Sequence, residues 1–484
     1  MPVLSNIEPM EVFKYFEEIC AIPHGSGNTA TISQYCVDFA KAHGLAYVQD
    51  EIGNVIIYKD AVLGYEKSET LILQGHMDMV CEKNFDYDSK QDFLQDGLDL
   101  AVMDDYIYAK GTTLGGDDGI AVAYFFALLE SNTIQHPRLE VVFTVDEEIG
   151  MIGMSALDFT KLSGKRLINL DNENEGELVT SSAGGIHIKC AIPVRYIEKI
   201  GSKYTIVLCG LHGGHSGVDI DKYRGNANIL MGRLLHFISK NVSFDLIYLK
   251  GGLQDNAIPR EAKADILVQE KDAYELEEII SKYEKMIQNE YHYNESNISV
   301  YCEDKGIATE KVLTDKTKER VVFLLMTVPD GVTKMSQETD NLVQTSSNLG
   351  IMRLRDDFFS VEISVRSSVS SEKYALSDRI KYLTETIGGQ YVADGDYPAW
   401  EYQDESSLRD LMFRTYHQCY GHNPRLSGLH AGLECGIVYS KVEGIDIVSY
   451  GPDIFDIHTP KERLSISSVK RTWDYLLAVL KNCI

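Results

Sequence analysis

The apolar run Leu71-Ile72-Leu73, closed by Gly75 and the triplet His76-Met77-Asp78, constrains this chain more than any other stretch. A short apolar run bounded in this way predicts a buried strand. Residues i and i+2 of an extended chain share a side, so His76 and Asp78 point the same way. Asp78 can then accept from one imidazole nitrogen while the other binds a metal, which fixes the tautomer and raises ligand basicity. Alone the triplet is a weak signal, because a histidine after a strand is more often a hydrogen-bonded rim residue. The pattern recurs, however. Residues 139–145 form an apolar strand ending in Asp146-Glu147-Glu148-Ile149-Gly150, and 166–170 form one ending in Asp171-Asn172-Glu173. Consecutive acids directly after a buried strand are costly unless water or a cation neutralises them.

Helices alternate with these strands. Val12, Phe16 and Ile19 mark a helix over 9–20, and Ile32, Tyr35, Cys36, Phe39 and Ala40 mark one face of a second. A polar excursion, loop and short hairpin, fills 86–108. The glycine-rich 111–119 opens an apolar helix over 120–130 with Asp117 and Asp118 at its start, where the helix dipole favours acids whether or not they have another role. The alternation reads as an α/β sheet, whose sites gather beyond the carboxyl ends of the strands. His76, Glu147, Glu148 and Asp171 fall at such ends.

After Gly184-Gly185 the texture changes. Strands are expected at 186–193, 203–208, 246–250, 263–269, 321–326, 344–353 and 358–365, and helices at 226–238, 273–288 and 372–387, with a polar interval at 291–304. Two rounds of strands with covering helices suggest an internally duplicated α+β domain. The first texture then returns, with a helix over 404–419, a strand over 445–450 leading to His458-Thr459-Pro460, and a final helix carrying Val469, Trp473, Leu476, Leu477 and Leu480. The expected fold is α/β: a mixed sheet flanked by helices, built from 1–181 and 393–484, with an α+β domain, 182–392, inserted.

A chain of 484 residues is long enough for two cores, and 44% hydrophobic residues supply them. A formal net charge of −27 repels phosphate backbones, which argues against nucleic acid and anionic membrane as partners. The nine cysteines are odd in number and lack paired C-x-x-C spacing, which argues for a reducing compartment. The acidic N-terminus has no long apolar core of a secretory signal, and no apolar run approaches a membrane-spanning length. The expectation is a cytoplasmic protein.

Together the strand-end residues supply two His, two Asp and two adjacent Glu. Imidazole with carboxylate and no thiolate motif suits zinc, with manganese or cobalt as alternatives. Two divalent ions about 3.5–4 Å apart need a shared carboxylate. Asp117 is the natural bridge, with His76 and Asp171 on one ion and Glu148 and His458 on the other. Glu147 is left unligated beside them, placed to take a proton from an activated water.

On these residues the chain resembles the aminoacyl-histidine dipeptidases (Xaa-His dipeptidases), a branch of the co-catalytic zinc exopeptidases. The matching segments are Gly75 to Asp78, Leu114 to Ile120, Asp146 to Gly150, Asn169 to Asp171, Gly213 to Gly217, Asn256 to Arg260, His430 to Gly436 and His458-Thr459-Pro460. They span nearly the whole length. Gly116 and Asp118 depart from the pattern, which more usually has Ala and Asn there. The resemblance implies a catalytic domain with an inserted lid, two divalent metal ions, and His76, Asp117, Glu148, Asp171 and His458 as ligands. It implies that Asp78 orients His76, that Glu147 is the general base, and that lid residue His215 polarises the scissile carbonyl while Asn256 and Arg366 hold substrate.

Taken singly, His215 could be an exposed turn histidine, Asn256 an Asx-turn residue before Pro259, and Arg366 a surface ion-pair partner. A dipeptide carboxylate wants an arginine fork, which favours Arg366 as a binder. The loop holding His430, Gly432 and Glu434 is assigned to substrate. His24, His187, His212 and His422 receive no role, and Cys81, Cys209 and Cys435 read as small buried hydrophobes. The resulting expectation is a metal-dependent dipeptidase acting on short peptides such as β-alanyl-histidine. Its rivals are a tripeptide aminopeptidase or aminoacylase on the same scaffold, or a non-catalytic metal-binding protein. A lid of this length either supplies His215 within one subunit or pairs two copies into a homodimer and supplies it across.

Overall fold

Parallel strands buried on both faces read as continuous apolar runs, and the runs seen in the sequence sit where that rule puts them. The computed structural model describes residues 2–84 and 92–484. These divide into two compact units, Met1–Ser181 with Tyr402–Gly428 and Leu433–Ile484, and Ser182–Glu401 with Leu429–Gly432.

The first unit is built on an eight-stranded mixed sheet in the order 46–49, 55–59, 139–144, 71–76, 166–169, 446–449, 177–182, 425–429. Its centre is parallel: Leu71–His76 lies between Leu139–Thr144 and Arg166–Asn169, and Asp446–Ser449 runs parallel to the latter. All six residues of Leu71–His76 are buried. Helix Gly116–Glu130 packs against that strand and against helix Met10–Cys20. It is apolar around its whole circumference and buried from Asp118 to Leu129, as a helix enclosed on all sides must be. A small four-stranded sheet pairs 454–455 with 463–465, 463–465 with 106–109, and 106–109 with 100–103. That last pair is the hairpin expected within 86–108; the 86–91 part of that expectation lies outside the described residues.

The second unit carries an antiparallel sheet ordered 299–313, 196–209, 262–268, 244–251, 343–354, 358–367, 184–193, 390–397, with 331–335 attached to 343–354. Its two halves repeat one topology. Each runs strand, helix, two strands, helix, strand, and each has its first strand between the fourth and the third. The halves meet where Lys250 and Gly251 pair with Arg353 and Met352.

Three expectations are corrected. Residues 321–326 are not a strand but the end of helix Asp315–Thr327; Val321, Leu324 and Leu325 are buried at helical spacing and Phe323 is exposed. Part of the polar interval 291–304 belongs to the fifteen-residue edge strand Ser299–Leu313, whose middle is exposed and so carries no apolar alternation. The chain returns to the first unit at Tyr402 rather than at 393, because Gln390–Tyr397 is an edge strand against Gly184–Pro193 and Trp400 bridges to Ser182.

The helical assignment has a direct check by chemical denaturation. L324A is expected to cost about 2–5 kcal/mol, and F323A less than about 0.5 kcal/mol. A strand would bury Phe323 with Val321 and Leu325, and would reverse the two results.

Candidate active site

His76 closes the central strand Leu71–His76 and is buried. Gly75 before it is bare for a steric reason: a Cβ there would lie 2.5 Å from Asp118 Oδ2 and 2.9 Å from Ala121 Cβ. Asp118 Oδ2 is needed at that spot, since it accepts the His76 backbone N–H at 3.1 Å. Asp117 opens helix Gly116–Glu130 behind Gly115, whose φ of +67° reserves that position for glycine. Glu147 and Glu148 lie in the turn after Leu139–Thr144, and Asp171 two residues beyond Arg166–Asn169. His458 sits in the loop between the paired strands Ile454–Phe455 and Arg463–Ser465.

These elements bring the expected residues together. The two oxygens of Asp117 face different imidazoles: Oδ1 lies 3.1 Å from His76 Nε2 and Oδ2 lies 3.2 Å from His458 Nε2. His76 Nε2 is also 3.8 Å from Asp171 Oδ1, and His458 Nε2 is 2.9 Å from Glu148 Oε1. Three groups have one ligand atom from each member within 4.8 Å of the others: His76 with Asp117 and Asp171, Asp117 with Glu148 and His458, and His76 with Glu147 and Glu148. Imidazole nitrogen and carboxylate oxygen at this density fit divalent cations of the zinc, manganese or cobalt kind.

The electrostatics point the same way. Burial, and then Asp117, raise Glu148, while burial outweighs the nearby His76 to hold Glu147 well above the carboxylate range. Burial together with Asp117 and Asp171 pushes Glu173 up to about 8. Burial also disfavours charge on Asp117, but hydrogen bonds to His458 and His76 outweigh it and depress that carboxyl. Burial likewise opposes charge on the imidazoles, yet Asp117 and Asp171 raise His76, and Asp117 and Glu148 carry His458 to about 11. So many acids beside two imidazoles form a site short of positive charge, which bound cations would supply.

Asp78 faces His76 with both its backbone carbonyl and its carboxylate. His76 Nδ1 is held at 3.0 Å by the backbone carbonyl of Asp78, whereas the Asp78 carboxylate stands 3.6 Å away, beyond hydrogen-bond reach. That carboxylate accepts from Ser26 Oγ at 2.8 Å and from the backbone N–H groups of Glu147 and Glu148 at 3.0 and 3.3 Å. It therefore ties the acidic turn to the end of the central strand.

Two buried acids join this neighbourhood: Glu434, which the sequence assigns only to a substrate-facing loop, and Glu462, which it does not single out. Glu434, at the start of helix Glu434–Lys441, accepts from Gln74 Nε2 at 2.5 Å and Thr144 Oγ1 at 2.7 Å, and Gln74 Oε1 accepts from Asn169 Nδ2 at 2.8 Å. Glu462 accepts three backbone N–H groups, from Leu114, Gly115 and Gly116. Neither has a local sequence signal, because their partners lie hundreds of residues away.

In the second unit, His215 lies in the short strand Gly214–His215, paired with Ala257–Ile258, so it neighbours Asn256. The Asn256 carbonyl accepts the Ser216 N–H at 2.8 Å. Arg366 ends the strand Phe358–Ser367, is buried, and donates from Nη1 to the Tyr397 hydroxyl at 2.8 Å. His430 Nε2 lies 2.7 Å from Ser346 Oγ; burial, and then Arg366 and His215, push its imidazole down to about 3. Gly217 packs between the two histidines, where a Cβ would lie 2.7 Å from His430 O and 2.9 Å from His215 Cε1. His215, Arg366 and His430 thus form one cluster, and Gly432 lies in the same unit. Tyr397 and Ser346 join the cluster without having been expected.

Comparison with known proteins gives the chain's family. Residues 72–482 match the peptidase family M20/M25/M40. The chain belongs to that family. It is 34% identical over 489 residues to the cytosol non-specific dipeptidase of Escherichia coli K12, covering 99% of each chain. The crystal structure of aminoacylhistidine dipeptidase from Vibrio alginolyticus is also 34% identical, with a TM-score of 0.90 over 99% of this chain and 97% of that one. Aminopeptidase PepT from Bacillus cereus, at 16% identity and a TM-score of 0.58 over 99% of each chain, shares the fold. Among the described residues of this peptidase-family chain, no helix is long and apolar enough to cross a membrane.

Because His76 and His458 are both raised, each carries a proton at neutral pH that a cation must displace. In chelator-stripped protein the apparent affinity for divalent metal is expected to increase steadily from pH 6 to pH 8. Calorimetry in buffers of different ionisation enthalpy should show protons released on binding. An affinity independent of pH would contradict the site's electrostatics.

Proposed function

We propose that this chain is a cytosolic metal-dependent dipeptidase, with His76, Asp117 and Asp171 holding one divalent ion, Asp117, Glu148 and His458 holding a second, and Glu147 acting as general base. The observation that carries the reading is the division of Asp117 between His76 and His458, with Glu147 alongside making no side-chain hydrogen bond among the described residues. A purely structural cation site has no use for that spare acid.

When bound, the ions would polarise the peptide carbonyl and make a water nucleophilic near neutral pH. Glu147 takes the proton of the attacking water and passes it to the leaving amine. Asp78 fixes where Glu147 stands through the two turn N–H groups. In the second unit, Arg366 takes the substrate carboxylate, with Tyr397 orienting its guanidinium; Arg366 Nε has no other partner among the described residues. His215 stabilises the developing oxyanion, and Asn256 and the stretch holding His430 and Gly432 line the substrate.

The names of the two relatives at 34% identity, a non-specific dipeptidase and an aminoacylhistidine dipeptidase, support dipeptides as substrates, Xaa-His dipeptides such as β-alanyl-histidine among them. Zinc is the proposed metal.

E147Q tests the chemistry. It is expected to leave bound metal unchanged and to lower kcat for β-alanyl-histidine about 10²–10⁴-fold. Wild-type turnover in E147Q would remove Glu147 from the mechanism. A panel of dipeptides, tripeptides and N-acylated amino acids tests the substrate class: hydrolysis confined to tripeptides or acylated substrates would overturn the dipeptidase assignment.

A further inference from the structure

Glu462 is almost wholly buried, and no catalytic step uses it. Its two oxygens accept three consecutive backbone N–H groups: Oε2 from Leu114 at 2.8 Å and Gly115 at 3.1 Å, Oε1 from Gly116 at 2.8 Å. Those residues form the turn directly before Asp117, at the positive end of helix Gly116–Glu130. Glu462 itself stands four residues after His458, and its backbone N–H bonds to the Thr459 carbonyl at 3.0 Å.

The His458 loop needs such an anchor. Asp456 and His458 both have left-handed backbone conformations, with φ of 53° and 57°. For residues other than glycine such conformations are strained and persist only where the surroundings impose them. Thr459 Oγ1 donates to the Asp456 carbonyl at 2.7 Å, and Arg463 pairs with Asp456, so the loop is braced internally. Glu462 tethers it to the backbone of the Asp117 turn.

We propose that Glu462 is a positioning residue for the second cation, locking the His458 loop to the Asp117 turn so that His458, Asp117 and Glu148 converge. This rests on those three residues being metal ligands. Of the first cation's proposed ligands, only Asp117 follows the turn that Glu462 holds, while His76 and Asp171 stand on strand ends to which it makes no hydrogen bond among the described residues, so the first cation depends on it much less.

The test is divalent-metal binding to chelator-stripped protein, measured with zinc against a chromophoric chelator, for wild type and E462Q. A glutamine keeps the length but turns one oxygen into a donor, so at least one of the three N–H groups loses its acceptor. Wild type is expected to bind two equivalents. E462Q is expected to keep one equivalent at wild-type affinity and bind the other about ten- to a hundredfold more weakly, the usual effect of losing a residue that orients a ligand. E462D, which keeps the charge but withdraws it by one methylene, should show the same split, and carries the test if E462Q does not fold. Two equivalents bound as in wild type by a variant with a lowered melting temperature would overturn the proposal, leaving Glu462 a brace for the fold alone. Equal weakening of both equivalents would overturn it as well. If wild type itself fails to bind two equivalents, the ligand assignment falls first and the proposal with it.

Discussion

A largely enclosed carboxylate shared between two imidazoles is the constraint around which the first unit is arranged. Asp117 gives one oxygen to His76 and the other to His458, and the remaining acids crowd in behind. Carboxylates do not gather out of water without compensation. Two protonatable imidazoles are too little positive charge for Asp117, Glu147, Glu148, Asp171 and Glu173 together. A pair of divalent cations would close that deficit, and the same pair would serve the proposed peptide hydrolysis.

The scaffold supplies the convergence in layers. Adjacent parallel strands end side by side, which puts His76, the Glu147–Glu148 turn and Asp171 at one edge of the sheet. One step further down the strands, Gln74, Thr144 and Asn169 form a polar row that Glu434 caps. Burial holds the Glu434 carboxyl up at about 7 despite the Thr144 hydrogen bond. Asp78 and Glu462 repeat the device with backbone donors, each fixing the turn that carries a site acid. The candidate site residues are thus held by hydrogen bonds from neighbouring buried groups, as precise metal and catalytic geometry requires.

Much of this was legible from residue order. Apolar runs that stop at His76, at Asp146 to Glu148 and at Asp171 can hardly be anything but buried strands ending at a polar edge, and the glycines before Asp117 announce a tight turn into a helix. What stayed hidden was whatever depends on distant partners. Glu462 and Leu114 are 348 positions apart, and Glu434 and Gln74 are 360 apart, with no periodicity linking them. Strand spacing places the Asp78 carboxylate on the His76 side, but nothing in the spacing shows that the N–H groups of the next turn also donate to it. Helix Asp315–Thr327 was hidden by a six-residue apolar run, too short for its period to show, and edge strand Ser299–Leu313 by its exposed polar middle.

Anomalous diffraction at the zinc edge, from crystals of the full chain equilibrated with zinc, reports most directly on the claim that one aspartate joins two cations. Two peaks are expected, one against His76 and Asp171 and the other against Glu148 and His458, with an oxygen of Asp117 on each. A single peak, or two peaks with Asp117 bound to only one of them, would contradict the account.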